Sequence, residues 1–107
     1  MSSALKNLSD FSTANLPDVS QKRFAIIVSE WNTEVTGALY TGAYDTLVTY
    51  GVQESNIVSI QVPGSFELSL GAQKLAQRED IDAVICLGCV IQGETRHFDF
   101  ICQAVAD

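Results

Sequence analysis

The chain has 107 residues, 47% of them hydrophobic and 18% charged, which fits one globular domain rather than a disordered tail. Its formal net charge is −7, and this argues against a nucleic-acid surface, because phosphate binding needs clustered basic residues. No apolar stretch approaches the roughly 20 residues that span a bilayer, and the N-terminus lacks the apolar segment of a signal peptide. We therefore expect a cytoplasmic protein whose three cysteines are reduced thiols.

The first half of the chain predicts an arm, a strand and a helix. Residues 1–21 are rich in Ser, Asn and Asp with isolated apolar side chains, which favours an extended N-terminal arm. Residues 23–29, RFAIIVS, form a β-branched run typical of a buried strand. From Thr33 onwards apolar or small residues recur at helical spacing, and Gly51 lies where a helix stop is expected.

The second half predicts two more strands, each followed by a helix. Residues 56–62, NIVSIQV, read as a strand, and Ser65 is a plausible N-cap of the next helix. One face of that helix carries small or apolar residues, namely Leu68, Gly71, Ala72, Leu75 and Ala76. Residues 83–91, AVICLGCVI, are continuously apolar and predict a strand covered on both faces. A third helix is expected to begin at about Thr95 and to run to the end of the chain.

Three successive strand–helix units predict the α/β class, with a parallel sheet and right-handed crossovers. We expect one domain over residues 22–107, preceded by the arm at residues 1–21. The polar turns SEWNT, PGSFE and GETRH each follow the carboxyl end of a predicted strand. These ends meet at one edge of an open α/β sheet, where ligands bind, so the three turns predict a single site.

The pair Cys86 and Cys89 has the CxxC spacing of redox and zinc motifs. On a strand, residues three apart point to opposite faces, so the two sulfurs are poorly placed to share a metal or a disulfide. We therefore expect core packing, with Cys89 near the strand exit as a candidate for lining the pocket.

Two aromatic turns permit both a functional and a structural interpretation. PGSFE puts Ser65, Phe66 and Glu67 at a helix N-terminus, whose free N–H groups bind hydroxyls or anions, but on local grounds an ordinary capped Pro-Gly turn is the favoured interpretation. Trp31 is the only tryptophan and follows a strand, where it is suited to stacking on a planar ring or to covering the core.

GETRH resembles a phosphate cradle, because a glycine loop enters a helix and Thr95 adds a hydroxyl. His97, the only histidine, falls in the first helical turn. Imidazole suits general acid–base work near neutral pH, but a lone histidine is more often structural. On these local grounds alone the structural role is slightly favoured.

Four motifs in order, FAIIVSEWN, VPGSFEL, ICLGCVIQGET and HFDF, resemble the lumazine synthase family over residues 23–107. The resemblance implies a flavodoxin-like parallel sheet with helices on both faces. It also implies condensation of 5-amino-6-(D-ribitylamino)uracil with 3,4-dihydroxy-2-butanone 4-phosphate, the penultimate step of riboflavin biosynthesis, with no metal or organic cofactor. With this resemblance, a chemical role for His97 becomes the favoured interpretation.

The resemblance carries functional roles to residues of all three turns. They are Trp31 for stacking on the pyrimidine, with Asn32 beside it; Ser65, Phe66 and Glu67 for the ribityl chain; Cys89, Val90 and Ile91 against the pyrimidine ring, largely through backbone groups; Glu94 and Thr95 for the phosphate; and His97 for proton transfer.

The resemblance further implies small-molecule substrates and a homo-oligomer, either a pentamer or a sixty-subunit cage, with riboflavin synthase as a candidate partner and no nucleic acid or membrane. Family members continue for about another third of their length, with a phosphate-binding arginine and an aromatic residue. We therefore expect the chain to be a fragment or a truncated sequence that does not complete the pocket by itself. Two alternatives remain: a non-catalytic paralogue that holds a ribityl-flavin ligand, and a structural subunit of a cage.

Overall fold

Three parallel strands form the centre of the protein. Its structure is a computed structural model that describes residues 16–107. The strands are β1 (Phe24–Ser29), β2 (Ile57–Val62) and β3 (Ala83–Leu87), and they pair in the order β2-β1-β3. This is the predicted α/β class, and the order matches the first three strands of a flavodoxin-like sheet. The predicted arm lies outside the described residues as far as residue 15.

Helices cover the two faces of the sheet, as the sequence predicts. They are α1 (Thr33–Thr49), α2 (Leu68–Ala76) and α3 (His97–Ala106). The β1–β2 and β2–β3 connections run in opposite directions across the sheet, so two right-handed crossovers put α1 and α2 on opposite faces. On the α1 face, the Tyr40 hydroxyl and Ser59 Oγ are 2.7 Å apart. No helix of the described residues is long and apolar enough to cross a membrane.

The α2 face holds the main hydrophobic cluster. Alternate residues of β1 point to this face and meet one side of α2, because strand side chains repeat every two residues and helical ones every three to four. The buried members are Ala25, Ile27, Leu68 and Leu75, with Ile60, Val62, Ala72, Ile81 and Val84 packed around them. Ala76, expected on this side of the helix, is exposed.

Strand β3 ends earlier than the apolar run predicts. It pairs with β1 only as far as Leu87, and the chain leaves the sheet at Gly88. A Cβ at Gly88 would lie 2.7 Å from both Leu68 Cδ1 and Ser65 Oγ, so the backbone here packs directly against the start of α2. The predicted strand over residues 83–91 is therefore too long at its carboxyl end, and within the described residues Cys86 is exposed.

Two helix boundaries also correct the sequence interpretation. Ser65 does not cap α2: residues Ser65–Glu67 form a 3₁₀ turn, and the helix begins at Leu68 without a side-chain cap. Helix α3 begins at His97 instead of Thr95. The helix stop at Gly51 is confirmed, since this residue has φ 98°, in the left-handed region that favours glycine.

Candidate functional site

Hydrogen bonds join the three loops that follow the strands. After β1, the N–H of Glu30 donates to Val62 O at 2.8 Å and the N–H of Trp31 donates to Pro63 O at 3.2 Å. After β2, Ser65 Oγ donates to the carbonyl oxygen of Cys89 at 3.3 Å. The first loop is thus tied to the second, and the second to the third.

The loops enclose a cleft of about 300 Å³ at the carboxyl edge of the sheet. Its lining brings together most of the predicted site: Trp31, Gly64, Ser65, Phe66, Glu67, Cys89, Val90, Ile91, His97 and Ile101. Three large apolar side chains remain mostly open to solvent, with Trp31 51%, Phe66 61% and Ile91 58% exposed. Clustered exposed apolar groups beside a few polar ones are typical of a ligand site, and a planar ring suits this lining.

Asn32 lies behind the cleft wall, not in it. It adopts a left-handed backbone conformation (φ 60°, ψ 62°), which asparagine tolerates better than most residues. Its carbonyl oxygen accepts the N–H groups of Val35 and Thr36, each at 3.0 Å, at the start of α1. Its side-chain Nδ2 reaches Cys89 Sγ at 3.6 Å, so the predicted neighbour of the pyrimidine braces another wall residue.

His97 is the first residue of α3 and contributes to the cleft lining. Its backbone N–H donates to Thr95 Oγ1 at 3.4 Å, so the Thr95 hydroxyl serves the helix start. Glu94 and Thr95, the predicted phosphate pair, are exposed and stand beside the cleft without lining it. The Arg96 guanidinium lies 5.4 Å from the centre of the Phe100 ring, a cation–π distance.

The cysteines behave as separate thiols. Cys89 lines the cleft beside Asn32, as expected, whereas Cys86 is exposed on the edge strand and does not pack in a core. Partial desolvation raises the pKa of the Cys86 thiol. No group of three or more His, Cys, Asp and Glu side chains within residues 16–107 is arranged to hold a metal ion.

Sequence reasoning missed two lining residues, Gly64 and Ile101. Ile101 had a usable signal, since it lies four residues after His97 and therefore shares its side of α3. Gly64 has an extended backbone (φ −147°, ψ 178°) and contributes only backbone atoms to the cleft lining. The local sequence pattern gives no signal for such a contribution.

A second cavity of about 410 Å³ lies on the α1 side of the sheet. It contains none of the predicted site residues, and its lining includes Glu30, Thr36, Tyr40, Ser59 and Gln61. The larger cavity is therefore separate from the convergence of the three loops.

Comparison with known proteins identifies the family. A family model described as 6,7-dimethyl-8-ribityllumazine synthase matches residues 21–107. The chain is similar to proteins of that name from three bacteria. It is 59% identical to the one from Cytophaga hutchinsonii, over 99% of the chain and 66% of the relative. It is 49% identical to the one from Flavobacterium johnsoniae, over 98% of the chain and 55% of the relative, and 48% identical to the one from Parabacteroides distasonis, over 98% of the chain and 66% of the relative. The chain thus spans 55 to 66% of the length of these relatives. The chain belongs to the 6,7-dimethyl-8-ribityllumazine synthase family.

Proposed function

We propose that the protein is a transferase that condenses 5-amino-6-(D-ribitylamino)uracil with 3,4-dihydroxy-2-butanone 4-phosphate. The products are 6,7-dimethyl-8-ribityllumazine, phosphate and water, and the reaction uses no metal or organic cofactor. The observation that carries the proposal is the convergence of Trp31, the Ser65–Glu67 turn, residues 89–91 and His97 on one cleft. Membership of the family supplies the identity of the substrates.

The pyrimidine ring binds between Trp31 and residues 89–91. The half-exposed indole offers an apolar face for stacking, and Val90 and Ile91 add apolar side chains to the lining of the same cleft. Residues 89–91 have left the sheet, which ends at Leu87, so strand pairing does not occupy their peptide groups. Apart from the Cys89 carbonyl, which accepts from Ser65, these peptide N–H and C=O groups match the alternating acceptors and donors of a uracil ring.

The ribityl chain lies along the turn that begins α2. Glu67 supplies a carboxylate that accepts hydrogen bonds from polyol hydroxyls, and it lines the cleft on the side of Gly64. Phe66, 61% exposed, covers the carbon backbone of the chain. A carboxylate and an aromatic ring on one short turn together suit a polyol.

His97 moves protons between the two substrates. Imine formation, phosphate elimination and ring closure each require a proton transfer near neutral pH, which imidazole performs well. The phosphate lies at the start of α3, where the helix N-terminus carries partial positive charge and Glu94 and Thr95 stand close by. Holding both substrates in reacting geometry supplies much of the remaining acceleration.

We further propose that the protein acts in the cytoplasm as a homo-oligomer, a pentamer or a sixty-subunit cage, whose product passes to riboflavin synthase. Exposed apolar side chains, Phe66 and Ile91 in the cleft and Phe100 on α3, support association between copies, because such surface is normally covered. Size measurement of the purified protein by light scattering tests this part separately from activity.

Because the chain spans only 55 to 66% of the length of its relatives, the test of the reaction uses the full-length protein, mixed with both substrates, and follows two products at once. Lumazine absorbance and inorganic phosphate should rise together in a one-to-one ratio. His97→Ala protein is the matched control and should form both far more slowly. Tight pyrimidine binding without product would favour a non-catalytic paralogue and contradict the proposal.

A further inference from the structure

The Ser65 hydroxyl, although in the cleft lining, is already engaged within the protein. The residue is only 8% exposed, and Oγ donates to the carbonyl oxygen of Cys89 at 3.3 Å. The same Oγ would lie 2.7 Å from a Cβ at Gly88, so the side chain fills the space beside that backbone. A hydroxyl has one proton to donate, and this bond therefore leaves Ser65 no donor for a ligand.

Cys89 is held from a second side by Asn32. The amide Nδ2 lies 3.6 Å from Cys89 Sγ, and Asn32 is itself fixed at the start of α1 through its carbonyl oxygen. The peptide carbonyl and the thiol of Cys89 are thus bonded to side chains from two other loops. Neither bond depends on a ligand.

We propose that Ser65 and Asn32 are positioning residues that hold residues 89–91 in the place where the pyrimidine binds. Ser65 acts through the Cys89 carbonyl and not on the ribityl chain, which is recognised by Glu67. The inference rests on the proposed function for the identity of the ligand, but the two bonds to Cys89 are independent of it.

The first test measures the reactivity of the Cys89 thiol without ligand. Replacing Cys86 and Cys102 by serine leaves Cys89 as the single cysteine, because the sequence has three. In this background Ser65→Ala should raise the rate of modification by a neutral maleimide roughly two- to tenfold, the range set by one net hydrogen bond. Asn32→Gly permits the left-handed backbone, removes the amide together with its CH₂ group, and should act in the same direction.

The matched control is Ser69→Ala, which removes an exposed hydroxyl from α2 and should leave the rate unchanged. Equal modification rates in the Ser65→Ala protein and its parent would overturn the positioning role.

The second test separates positioning from direct contact with the polyol. Quenching of Trp31 fluorescence reports binding of 5-amino-6-(D-ribitylamino)uracil and of 5-amino-6-(methylamino)uracil, which lacks the ribityl chain. Ser65→Ala should weaken both ligands by the same factor, roughly two- to tenfold. Glu67→Gln should weaken the ribityl compound alone. A Ser65→Ala penalty confined to the ribityl compound would show direct contact and overturn the inference.

The two tests also separate this inference from the proposed function. If the parent protein binds neither pyrimidine while Ser65→Ala still accelerates thiol modification, the proposed function fails and the positioning of Cys89 is supported. If the parent forms lumazine while thiol modification is unchanged by Ser65→Ala, the positioning role fails and the function stands.

Discussion

Replacing Gly88 by alanine tests the contact that fixes the cleft wall. The added Cβ would lie 2.7 Å from Leu68 Cδ1 and 2.7 Å from Ser65 Oγ, well inside the 3.5–4.0 Å at which carbon atoms attract. The backbone of Gly88 is not in the left-handed region, so the effect of the methyl group is steric. Leu68 and Ser65 are both buried, which restricts their movement away from it.

The expected loss of stability has two sources. Overpacking by one methyl group costs about 1–3 kcal/mol. Displacing Ser65 Oγ also removes its bond to Cys89, worth about 0.5–1.5 kcal/mol. Because the Leu68 side chain can move partly, we expect a net loss of about 2 kcal/mol in the free energy of unfolding. Urea denaturation followed by far-ultraviolet circular dichroism measures it.

Gly42→Ala is the matched control for this experiment. A Cβ at Gly42 meets no atom within 4 Å, and the residue lies inside α1. Alanine there should raise stability by about 0.5–1 kcal/mol, because glycine is unfavourable in a helix interior. The same change from glycine to alanine should therefore lower the free energy of unfolding at position 88 and raise it at position 42. A Gly88→Ala protein within 0.5 kcal/mol of the parent would refute the close packing of this wall.

Four further outcomes follow from the structure. His97→Ala should lower turnover by about 10²–10⁴-fold with substrate affinity nearly retained, measured by lumazine absorbance, and unchanged turnover would remove its proton-transfer role. Trp31→Ala should weaken pyrimidine binding by about 1–3 kcal/mol in calorimetry, and normal affinity would exclude stacking. Gly51→Ala should cost about 1–2 kcal/mol in urea unfolding because φ is 98°, and full stability would contradict that conformation. The Tyr44 hydroxyl donates a hydrogen bond to Glu54, which raises the pKa of Tyr44 to about 12. The bond therefore stabilises the fold below pH 10, and this stabilisation is lost as the pH rises towards 12. Ultraviolet titration of the Glu54→Gln protein should show a lower Tyr44 pKa, and an unchanged titration would rule out the bond.

The arrangement of the fold was predictable because its signals are local. The apolar run of β1, the helical spacing after Thr33 and the stop at Gly51 each act over a few residues, and all three are found. Convergence of the three turns also followed, because carboxyl ends of parallel strands meet at one edge. The cleft lining contains eight of the residues predicted for the site, from Trp31 to His97.

The remaining features depend on contacts between distant residues, which local pattern does not encode. In the sequence Ser65 reads as an ordinary helix cap. In the structure its hydroxyl donates a hydrogen bond to the carbonyl oxygen of Cys89, 24 residues further along the chain. The apolar run at residues 83–91 reads as one strand, yet pairing with β1 stops after Leu87, where the Gly88 backbone packs against Leu68. The functional roles of the site residues were suggested by the family resemblance and remain predictions.

A crystal structure of the protein soaked with 5-amino-6-(D-ribitylamino)uracil shows directly whether the three loops form one pyrimidine site. The uracil ring should stack on Trp31 against residues 89–91, with the ribityl chain along the Ser65–Glu67 turn and the Ser65–Cys89 bond intact beside it. Ligand density in the cavity on the α1 side instead, around Tyr40 and Ser59, would contradict this arrangement.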